Sequence, residues 1–596
     1  MPEYKVPLND IQFCLNDVLG YEEHYANLPG GEEFNAELVD AVLEEGAKFC
    51  EQELAPLNAV GDEQGCRLED GEVFTPEGFR EAYAAYCDGG WPSLSQDPEF
   101  GGQGLPESLG IVLTELTGTA NWAWTLYSGL SHGTMATLMA HGTEDQQQRF
   151  LPKLVEGVYT GTMCLTEANA GSDLALLKTK AEPDEDGTYS ITGSKIFISA
   201  GDHDMSENVI HIVLARLPDA PAGVKGISLF IVPKINVDDN GVLQDRNSLS
   251  VGSIEHKMGI NGNATCVMNF DGAKGYLIGP PNKGLRCMFT FMNNARLFIA
   301  QQGVCHAELS YQGALAYAKD RLQMRAPGQP AQPEKNADPI ICHPDVRRML
   351  LTQKAYAEGG RALTYLCAKY VDIAHLGDEA SKATAEKRLA LLIPIAKGFL
   401  TEAGFEAANL GVQVFGGHGY IKEWGMEQIV RDARIAMLYE GTNGIQALDL
   451  LGRKIVGSEG SLLSEFIAEV KEYLPQSEDS TLAPLVDRLS AQLQIWQQLS
   501  DTVIEGASQD PAVIGAASFD FLLYSGHTVL AYLLLRSAIV AESKMQENPE
   551  NPMYQGKLDT ARFYFDHILP RNDGLASSIQ AGPQSMMKIN LEALDR

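Results

Sequence analysis

Three segments of the sequence combine glycines with small hydroxyl side chains, a combination that suits close contact with a bound ligand. They are Leu165-Thr-Glu-Ala-Asn-Ala-Gly-Ser-Asp173, Phe415-Gly-Gly-His-Gly-Tyr420 and Tyr439-Glu-Gly-Thr-Asn-Gly-Ile-Gln446. Glycine lets backbone amides approach a ligand, and hydroxyl groups supply hydrogen bonds at short reach. One such segment is usually a capped turn. Three of them in one chain, each beside a helical pattern, predict a ligand site.

Motifs for other kinds of site are absent from the sequence. It contains neither a G-x-x-x-x-G-K-[ST] loop nor a G-x-G-x-x-G turn after a predicted strand, so a dinucleotide would have to be held in another way. It also lacks the H-E-x-x-H pair of many zinc enzymes. The run Gly201-Asp-His-Asp204 offers three possible ligand side chains, but we interpret it as a solvated turn after a strand. We therefore predict no metal site.

The elements that must position these segments change character along the chain. Residues 1–160 show helical spacing of apolar side chains, for example at 36–60. Residues 161–282 contain short β-rich runs separated by turn residues such as Asp184-Glu-Asp-Gly187, which suit a hairpin. We predict an N-terminal helical domain followed by a middle, antiparallel β-domain.

Long helical patterns return after residue 282. A four-helix bundle is predicted for residues 283–456, with helices at 288–322, 346–376, 380–410 and 426–456. Pro394 should kink or end the third helix, and the fourth is interrupted near Gly441. An additional C-terminal helical domain is predicted for residues 457–596. The fold class is therefore mainly α with a central β-domain.

The composition is that of a globular and strongly acidic protein. The 596 residues carry a formal charge of −34, which repels phosphate backbones and disfavours nucleic acid as a partner. The N-terminus lacks the pattern of a signal peptide, and the apolar stretch at 528–540 is too short to span a bilayer. The ten cysteines include no C-x-x-C pair, which indicates a reducing and hence cytoplasmic location.

The same segments resemble the acyl-CoA dehydrogenase family, in order, over about residues 90–456. The resemblance is carried by Met163-Cys-Leu-Thr-Glu167 with Ala170-Gly-Ser-Asp173, Ser194-Lys-Ile-Phe-Ile-Ser-Ala-Gly201, Gln413-Val-Phe-Gly-Gly-His-Gly-Tyr420, Arg431-Asp-Ala-Arg434 and Tyr439-Glu-Gly-Thr442. The extension beyond residue 456 and the loop at 326–344 resemble a long branch of the family. That branch includes long- and medium-chain enzymes and 3-methylmercaptopropionyl-CoA dehydrogenases.

The resemblance implies FAD as the cofactor. It implies that Thr166 bonds the pyrimidine edge of the flavin and that Ser199 lies near flavin N5. Phe197 occupies a position where many members carry tryptophan against the flavin face, and Thr442 should contact the pyrophosphate or adenosine portion. These four side chains would hold the cofactor from within one subunit.

A second group of residues implies a homodimer. In the family, the positions that match it contact the FAD of a neighbouring subunit, and here they are Arg321, Gln413, Gly416 and Gly417. The sequence departs from the common pattern after Arg321, where Gln323-Met-Arg325 replaces threonine-phenylalanine-glycine. It departs again at Gly444, which replaces a glutamine that often contacts FAD.

The remaining implied residues concern the acyl-CoA substrate. Contacts with it are implied for Ser172, Asn293, Arg296 and Gly441, although Asn293 replaces an aspartate found in some members. Glu440 is implied as the base that removes the α-proton of a fatty acyl thioester while flavin N5 accepts the β-hydride. The expected product is a trans-2-enoyl-CoA of fatty acid β-oxidation, with electrons passed to an electron-transfer flavoprotein.

Three alternatives remain open from the sequence. The substrate could be 3-methylthiopropanoyl-CoA instead of a fatty acyl-CoA. The protein could be an acyl-CoA oxidase, which passes electrons to oxygen. It could also be a non-catalytic member that acts as a binding partner, although the preserved Glu440-Gly-Thr442 segment argues against that role.

Overall fold

The computed structural model describes residues 2–474 and 481–595, which fall into two compact units. The first unit comprises residues 3–6 and 41–298, and the second comprises residue 2, residues 7–40 and the described residues from 299 onward. Residues 7–40 belong to the second unit because buried polar bonds fasten them there. The Tyr21 hydroxyl donates to the Tyr365 carbonyl at 2.7 Å, and His24 Nε2 lies 3.0 Å from Asp372 Oδ2.

The N-terminal region is helical, as predicted. Helices α1–α8 are Leu8–Gln12, Tyr21–Ala26, Ala36–Phe49, Leu57–Gln64, Phe79–Asp88, Glu107–Ala120, Trp122–His141 and Glu144–Val155. Helix α8 begins with a capping box, in which the Thr143 hydroxyl accepts from the Gln146 N–H and the Gln146 side chain accepts from the Thr143 N–H. In the first unit the fully buried Trp124 of α7 donates from Nε1 to the Phe79 carbonyl at 3.2 Å.

The β-domain is mainly antiparallel, as predicted. Strands β1–β11 are Arg67–Glu69, Glu72–Phe74, Tyr159–Cys164, Lys180–Pro183, Tyr189–Ser199, Asn208–Arg216, Ile227–Pro233, Ile235–Val237, Leu243–Arg246, Leu249–Ile254 and Thr265–Ile278. A seven-stranded sheet has the order β10-β11-β5-β4-β6-β3, with β7 paired to β11 and β6. The predicted hairpin is confirmed, because Pro183 pairs with Tyr189. The β1–β2 hairpin and the parallel pairing of β3 with β6 were not predicted.

The first three bundle helices are slightly longer than predicted, whereas the fourth consists of two short helices separated by residues 435–442. Helices α9–α13 are Gly284–Asp320, Pro344–Leu376, Glu379–Phe415, Met426–Arg434 and Asn443–Leu448. Of the two outcomes predicted for Pro394, a kink or the end of the third helix, the end was wrong, since α11 continues through this residue. A proline inside a helix loses one hydrogen bond, at a cost of about 3 kcal/mol. Its neighbours Leu392 and Ile395 are fully buried, and their packing offsets that loss.

The C-terminal extension, defined as the described residues beyond 456, is also helical. Its helices α14–α19 are Ser461–Tyr473, Ala483–Gln509, Ala512–Glu547, Pro552–Phe563, Arg571–Gln580 and Gln584–Met587. Of the helices described, α16 alone has the length and apolar composition to cross a membrane, and 72% of its apolar window is buried in the protein. The predicted stretch at 528–540 is thus only the middle of a longer helix, and its burial is that of a core helix.

Candidate active site

In the first unit, the polar loop after β3 is fastened by a buried ion pair. Glu167 accepts from the Thr179 hydroxyl at 2.6 Å and from Lys195 Nζ at 2.9 Å, and Lys195 also donates to the Leu165 carbonyl at 3.0 Å. Burial favours a neutral carboxyl, but Lys195 and Thr179 outweigh it, so the pKa of Glu167 lies below its ordinary value. Thr166 is therefore held between two anchored neighbours.

A bulge in β5 turns Phe197 outward. Lys195 pairs with Met268 whereas Ile198 pairs with Cys266, so β5 carries one extra residue between them. Phe197 has a φ of +59° and is 60% exposed. A bulky residue rarely adopts this left-handed conformation, and such positions cluster at ligand sites. The exposed ring fits the predicted role as a platform for a flavin face.

The structure brings Thr166 and Ser199 to neighbouring chain segments. The Thr166 carbonyl accepts from the Ile196 N–H at 2.8 Å, and the Ser199 carbonyl accepts from the Thr162 hydroxyl at 2.7 Å. The loop after β3 therefore lies against the end of β5. Ser172 lies further along the same loop and is exposed.

Two of the predicted substrate contacts lie on the first part of α9. Asn293 is exposed, whereas Arg296 is only 7% exposed. A substrate could reach the first side chain directly, and the second would have to act from a largely buried position. The two residues, which were predicted together as substrate contacts, therefore differ in their exposure to solvent.

In the second unit, Glu440 lies in the loop between α12 and α13, with a φ of +55° and partial exposure. Its neighbour Tyr439 donates from its hydroxyl to Gln302 Oε1 at 2.5 Å. Gly441 has a φ of +85°, and a Cβ there would lie 2.6 Å from Gln446 Nε2, so the loop requires glycine at this position. Gln446 Nε2 donates to the carbonyls of Glu440 and Gly441 at 3.3 and 3.4 Å.

Two more residues fasten the same loop. Lys397 Nζ donates to the Gly441 carbonyl at 2.7 Å and to Asn443 Oδ1 at 3.0 Å. The Thr442 hydroxyl accepts from the Ile445 N–H at 3.3 Å and so caps α13. The backbone on the C-terminal side of Glu440 is thus restrained by side chains from α11 and α13.

The residues predicted to reach a neighbouring subunit lie together on the surface of the second unit. Arg321 follows the end of α9, and Gln413, Gly416 and Gly417 mark the end of α11; all four are exposed. The two helix ends meet where the rings of Tyr317 and Phe415 stack at 4.0 Å. The Tyr317 hydroxyl also lies 2.9 Å from His418 Nδ1.

The turn at Gly201-Asp-His-Asp204 is not solvated, so that interpretation was wrong. Asp202 and His203 are 1% and 2% exposed. Asp202 pairs with Lys234 at 2.5 Å, and His203 Nε2 lies 2.9 Å from the Thr160 hydroxyl. Burial was hidden in the sequence because the partners, Thr160 in β3 and Lys234 after β7, are distant in the chain. Within residues 2–474 and 481–595, no group of three histidine, cysteine or acidic side chains is placed to hold a metal ion.

Comparison with known proteins identifies the family. Family models match successive parts of the chain: acyl-CoA dehydrogenase, N-terminal domain, at 37–158; middle domain at 162–273; C-terminal domain at 282–455; and acetyl-CoA dehydrogenase C-terminal like at 466–590. The 3-methylmercaptopropionyl-CoA dehydrogenase of Ruegeria pomeroyi is 41% identical, with 99% of this chain and 100% of that protein covered. The chain belongs to the acyl-CoA dehydrogenase family.

Two further acyl-CoA dehydrogenases support this assignment. The broad-specificity linear acyl-CoA dehydrogenase FadE5 of Mycobacterium tuberculosis is 32% identical, and 99% of each chain is covered. The crystal structure of a Bacillus anthracis acyl-CoA dehydrogenase complexed with FAD shares the fold, with a TM-score of 0.75 at 19% identity, covering 93% of this chain and 90% of that one. Because it belongs to the acyl-CoA dehydrogenase family, the protein is an FAD-dependent oxidoreductase that acts on acyl-CoA.

The residues of this acyl-CoA dehydrogenase fit a flavin dinucleotide. The first unit offers the exposed ring of Phe197 in β5, with Ser199 two residues further on and Thr166 in the loop that lies against this strand; an aromatic face with hydroxyl residues nearby in the chain suits a flat heteroaromatic ring with a polar edge. The second unit offers an exposed guanidinium at Arg321 near the glycines that end α11, and guanidinium groups bind phosphates well. The individual roles of these residues stay predictions.

Sequence reasoning missed the residues that hold the two loops. Lys195 lies within the motif at 194–201, but the resemblance implies no role for it. Lys397 is the one charged residue in an otherwise apolar stretch of α11. A lysine in an apolar run is a usable signal, because an ammonium group is rarely buried unless it has partners. What the sequence does not give is the identity of those partners.

Proposed function

We propose that the protein dehydrogenates an acyl-CoA thioester between its α and β carbons, with Glu440 as the base that removes the α-proton. The supporting observation is the conformation of Glu440, a glutamate in the left-handed region whose loop is restrained by Tyr439, Gln446 and Lys397. The α-proton of a thioester is a weak acid, so its base must be held within about 3 Å of it. A restrained loop meets that need.

The chain's own groups can serve the reaction in two further ways. A carboxylate shielded from water by bound substrate becomes a stronger base. The developing negative charge on the thioester oxygen needs hydrogen-bond donors, and the family resemblance assigns one of them to the Glu440 N–H. When bound, FAD supplies the acceptor for the β-hydride at its N5 atom.

The acyl group is proposed from the relatives. A relative 41% identical over nearly the whole chain is a 3-methylmercaptopropionyl-CoA dehydrogenase, which favours a short thioether acyl group. A fatty acyl-CoA of β-oxidation remains the other candidate, supported by a linear acyl-CoA dehydrogenase at 32% identity. Comparing kcat/KM for 3-methylmercaptopropionyl-CoA with that for straight-chain acyl-CoAs of graded length decides between them.

The partners and location are also proposals. We expect electrons to pass to an electron-transfer flavoprotein, as in the family. We expect a homodimer, because the surface that carries Arg321 and Gln413 is exposed and suits the FAD of a second copy. None of the ten cysteines, all of which lie in described residues, forms a disulfide, which supports a reducing cytoplasmic location.

The decisive experiment is Glu440→Gln. We expect the variant to keep its FAD and its circular dichroism spectrum but to lose turnover by a factor of about 10⁴, as expected when a positioned base is removed. Glu459→Gln is the matched control, because Glu459 is also a glutamate of the second unit with positive φ, at +52°. Turnover by the Glu440 variant at the wild-type rate would exclude Glu440 as the base.

Two measurements separate the alternatives. A dehydrogenase should bleach its flavin absorbance when an acyl-CoA is added without oxygen, and a non-catalytic binding partner should not. Hydrogen peroxide formed in stoichiometric yield during aerobic turnover would instead identify an acyl-CoA oxidase.

A further inference from the structure

We infer that Lys397 is a positioning residue for Glu440, and that the C-terminal extension supports the helical turn that carries this lysine. The inference rests on the proposed function, because it concerns the loop of the proposed base. Lys397 is fully buried on α11. Placing an ammonium group in the interior is costly unless each of its donors is used. The structure shows where two of them go.

The bonds of Lys397 reach the backbone directly beside the proposed base. Its Nζ donates to the carbonyl of Gly441 at 2.7 Å and to the side-chain oxygen of Asn443 at 3.0 Å. Hydrogen bonds from a charged donor are about twice as strong as neutral ones. Lys397 therefore ties the residue that follows Glu440 to the interior of the bundle.

Asn443 completes this connection. Its amide nitrogen lies 3.1 Å from the Gly398 carbonyl oxygen, 3.0 Å from the Thr401 hydroxyl and 2.9 Å from Glu402 Oε1, and its two N–H groups donate among these three acceptors. Its oxygen accepts from Lys397, as described above. Asn443 is thus bonded to two successive turns of α11, and it is the first residue of α13. Hydrogen bonds at both Gly441 and Asn443 therefore fix the position of the Glu440 loop relative to α11.

The extension packs closely on the turn of α11 that carries Lys397. A Cβ at Gly398 would lie 2.6 Å from Leu522, and a Cβ at Gly526 would lie 2.0 Å from the ring of Phe399. Both contacts join α11 to α16, whose middle is fully buried. Because close-packed interiors transmit small displacements, moving α16 should move the turn that holds Lys397. By supporting the turn that carries Lys397, the extension thus helps to position the loop of the proposed base.

The first test is Lys397→Met, which keeps the length of the side chain and removes its donors. With butyryl-CoA or 3-methylmercaptopropionyl-CoA, whichever is turned over faster, we expect kcat to fall about 100-fold, the typical cost of a base displaced by about 1 Å. KM should stay within about threefold, since substrate binding is not the function lost. The isotope effect for substrate deuterated at the α-carbon should rise, because proton removal becomes rate-limiting.

The matched control is Lys369→Met. Lys369 lies on α10, and its ammonium group donates to the Leu19 carbonyl at 2.8 Å, so this variant also loses a lysine–carbonyl bond. Its kcat and isotope effect should equal those of the wild type. Either of two results for Lys397→Met would overturn the inference: wild-type kinetics, or a loss of kcat that only matches a loss of bound FAD while the isotope effect stays unchanged.

The second test addresses the extension and does not depend on the lysine variant folding. Gly526→Ala forces a methyl group against Phe399, whereas Gly515→Ala on the same helix meets nothing within 4 Å. We expect the first to lower kcat about tenfold with FAD retained, and the second to change nothing. Equal kinetics in the two variants would refute the role of the extension. If Glu440→Gln were itself active, the proposed function would fail first, so the two failures are distinguishable.

Discussion

Two loops in different units of the protein are each held by a fully buried lysine, but the two lysines bind different groups. In the first unit, Lys195 donates to the carboxylate of Glu167 and to a backbone carbonyl. In the second unit, Lys397 donates to the carbonyl of Gly441 and to the amide oxygen of Asn443. Lys195 thus forms an ion pair, whereas these two acceptors of Lys397 are uncharged.

The two loops differ in whether a carboxylate serves to hold them. Glu167 is committed to holding its loop, and its lowered pKa makes it a poor base. In the loop of Glu440, the bonds to Lys397 and Gln446 are made through backbone and amide oxygens. These bonds hold the loop without using the carboxylate. The carboxylate of Glu167 therefore has a structural role in its own loop, whereas the bonds from Lys397 and Gln446 reach the loop of the proposed base through other oxygens.

The largest expected effect comes from breaking the ion pair of the first unit. In Lys195→Met, the carboxylate of Glu167 stays largely buried without its cation, and such changes cost about 3 kcal/mol or more. We therefore expect a substantial fall in the free energy of unfolding, measured by urea denaturation of the FAD-loaded protein. The loop that carries Thr166 should also loosen, so FAD should dissociate more readily.

A double variant tests whether the ion pair itself is the source of this stability. Lys195→Met with Glu167→Gln removes both charges, and it should recover part of the lost stability because no buried charge remains. If the double variant were less stable than the sum of the single losses, the ion pair would not be the main source of the effect.

The next expected effect is a loss of stability at acidic pH, to which buried histidines in both units contribute. Burial lowers the pKa of His203 and His211 to about 3 in the first unit, and that of His306 to about 4 and of His527 to about 3 in the second. The unfolded value is about 6.5, so below that pH the unfolded chain binds more protons than the folded one. Stability should fall as the pH decreases from about 6.5 towards 4, by at most about 1.4 kcal/mol per pH unit for each histidine.

Thermal melting at several pH values between about 7 and 5 measures this response. In His211→Phe, the aromatic contact with Phe270 can be kept while one titrating group is lost. The free energy of unfolding should therefore fall less steeply as the pH decreases, because the unfolded chain takes up one proton fewer. An unchanged slope would show that His211 is already protonated in the folded protein or does not limit its stability.

Local patterns in the sequence were enough for many elements of the fold. One of the β-rich runs within 161–282 forms the strand Tyr189–Ser199, and the turn chemistry at 184–187 gives the hairpin. The helical bundle and its interruption near Gly441 were also predicted correctly. These features depend on side chains close to one another in the sequence, where periodicity and turn residues carry the signal.

Features that depend on contacts between residues far apart in the sequence were not predicted. The continuity of α11 through Pro394 comes from packing on both sides of the helix, and local propensity points the other way. The burial of Asp202 needs Lys234, which follows two intervening strands, β6 and β7, in the chain. The positions of Lys195 and Lys397 were visible in the sequence, but their partners were not. Family motifs pointed to the candidate residues, whereas the groups that hold them required the fold.

The smallest expected effect concerns the two strained site residues, Phe197 and Glu440. Both have positive φ, and relieving such a conformation with glycine gains about 1 kcal/mol, which the greater freedom of glycine in the unfolded chain largely cancels. Phe197→Gly and Glu440→Gly should therefore each change the free energy of unfolding by less than about 1 kcal/mol. Their functional effects should differ.

Phe197→Gly should weaken FAD binding, because the exposed aromatic face that we assign to the flavin is lost. Glu440→Gly should keep its FAD and lose turnover, because only the base is missing. Flavin absorbance after gel filtration, together with urea denaturation of each variant, measures both quantities. A loss of about 2 kcal/mol or more in Phe197→Gly would mean that this ring packs in the interior, despite its 60% exposure. In that case the bulge in β5 would serve the sheet and not the cofactor.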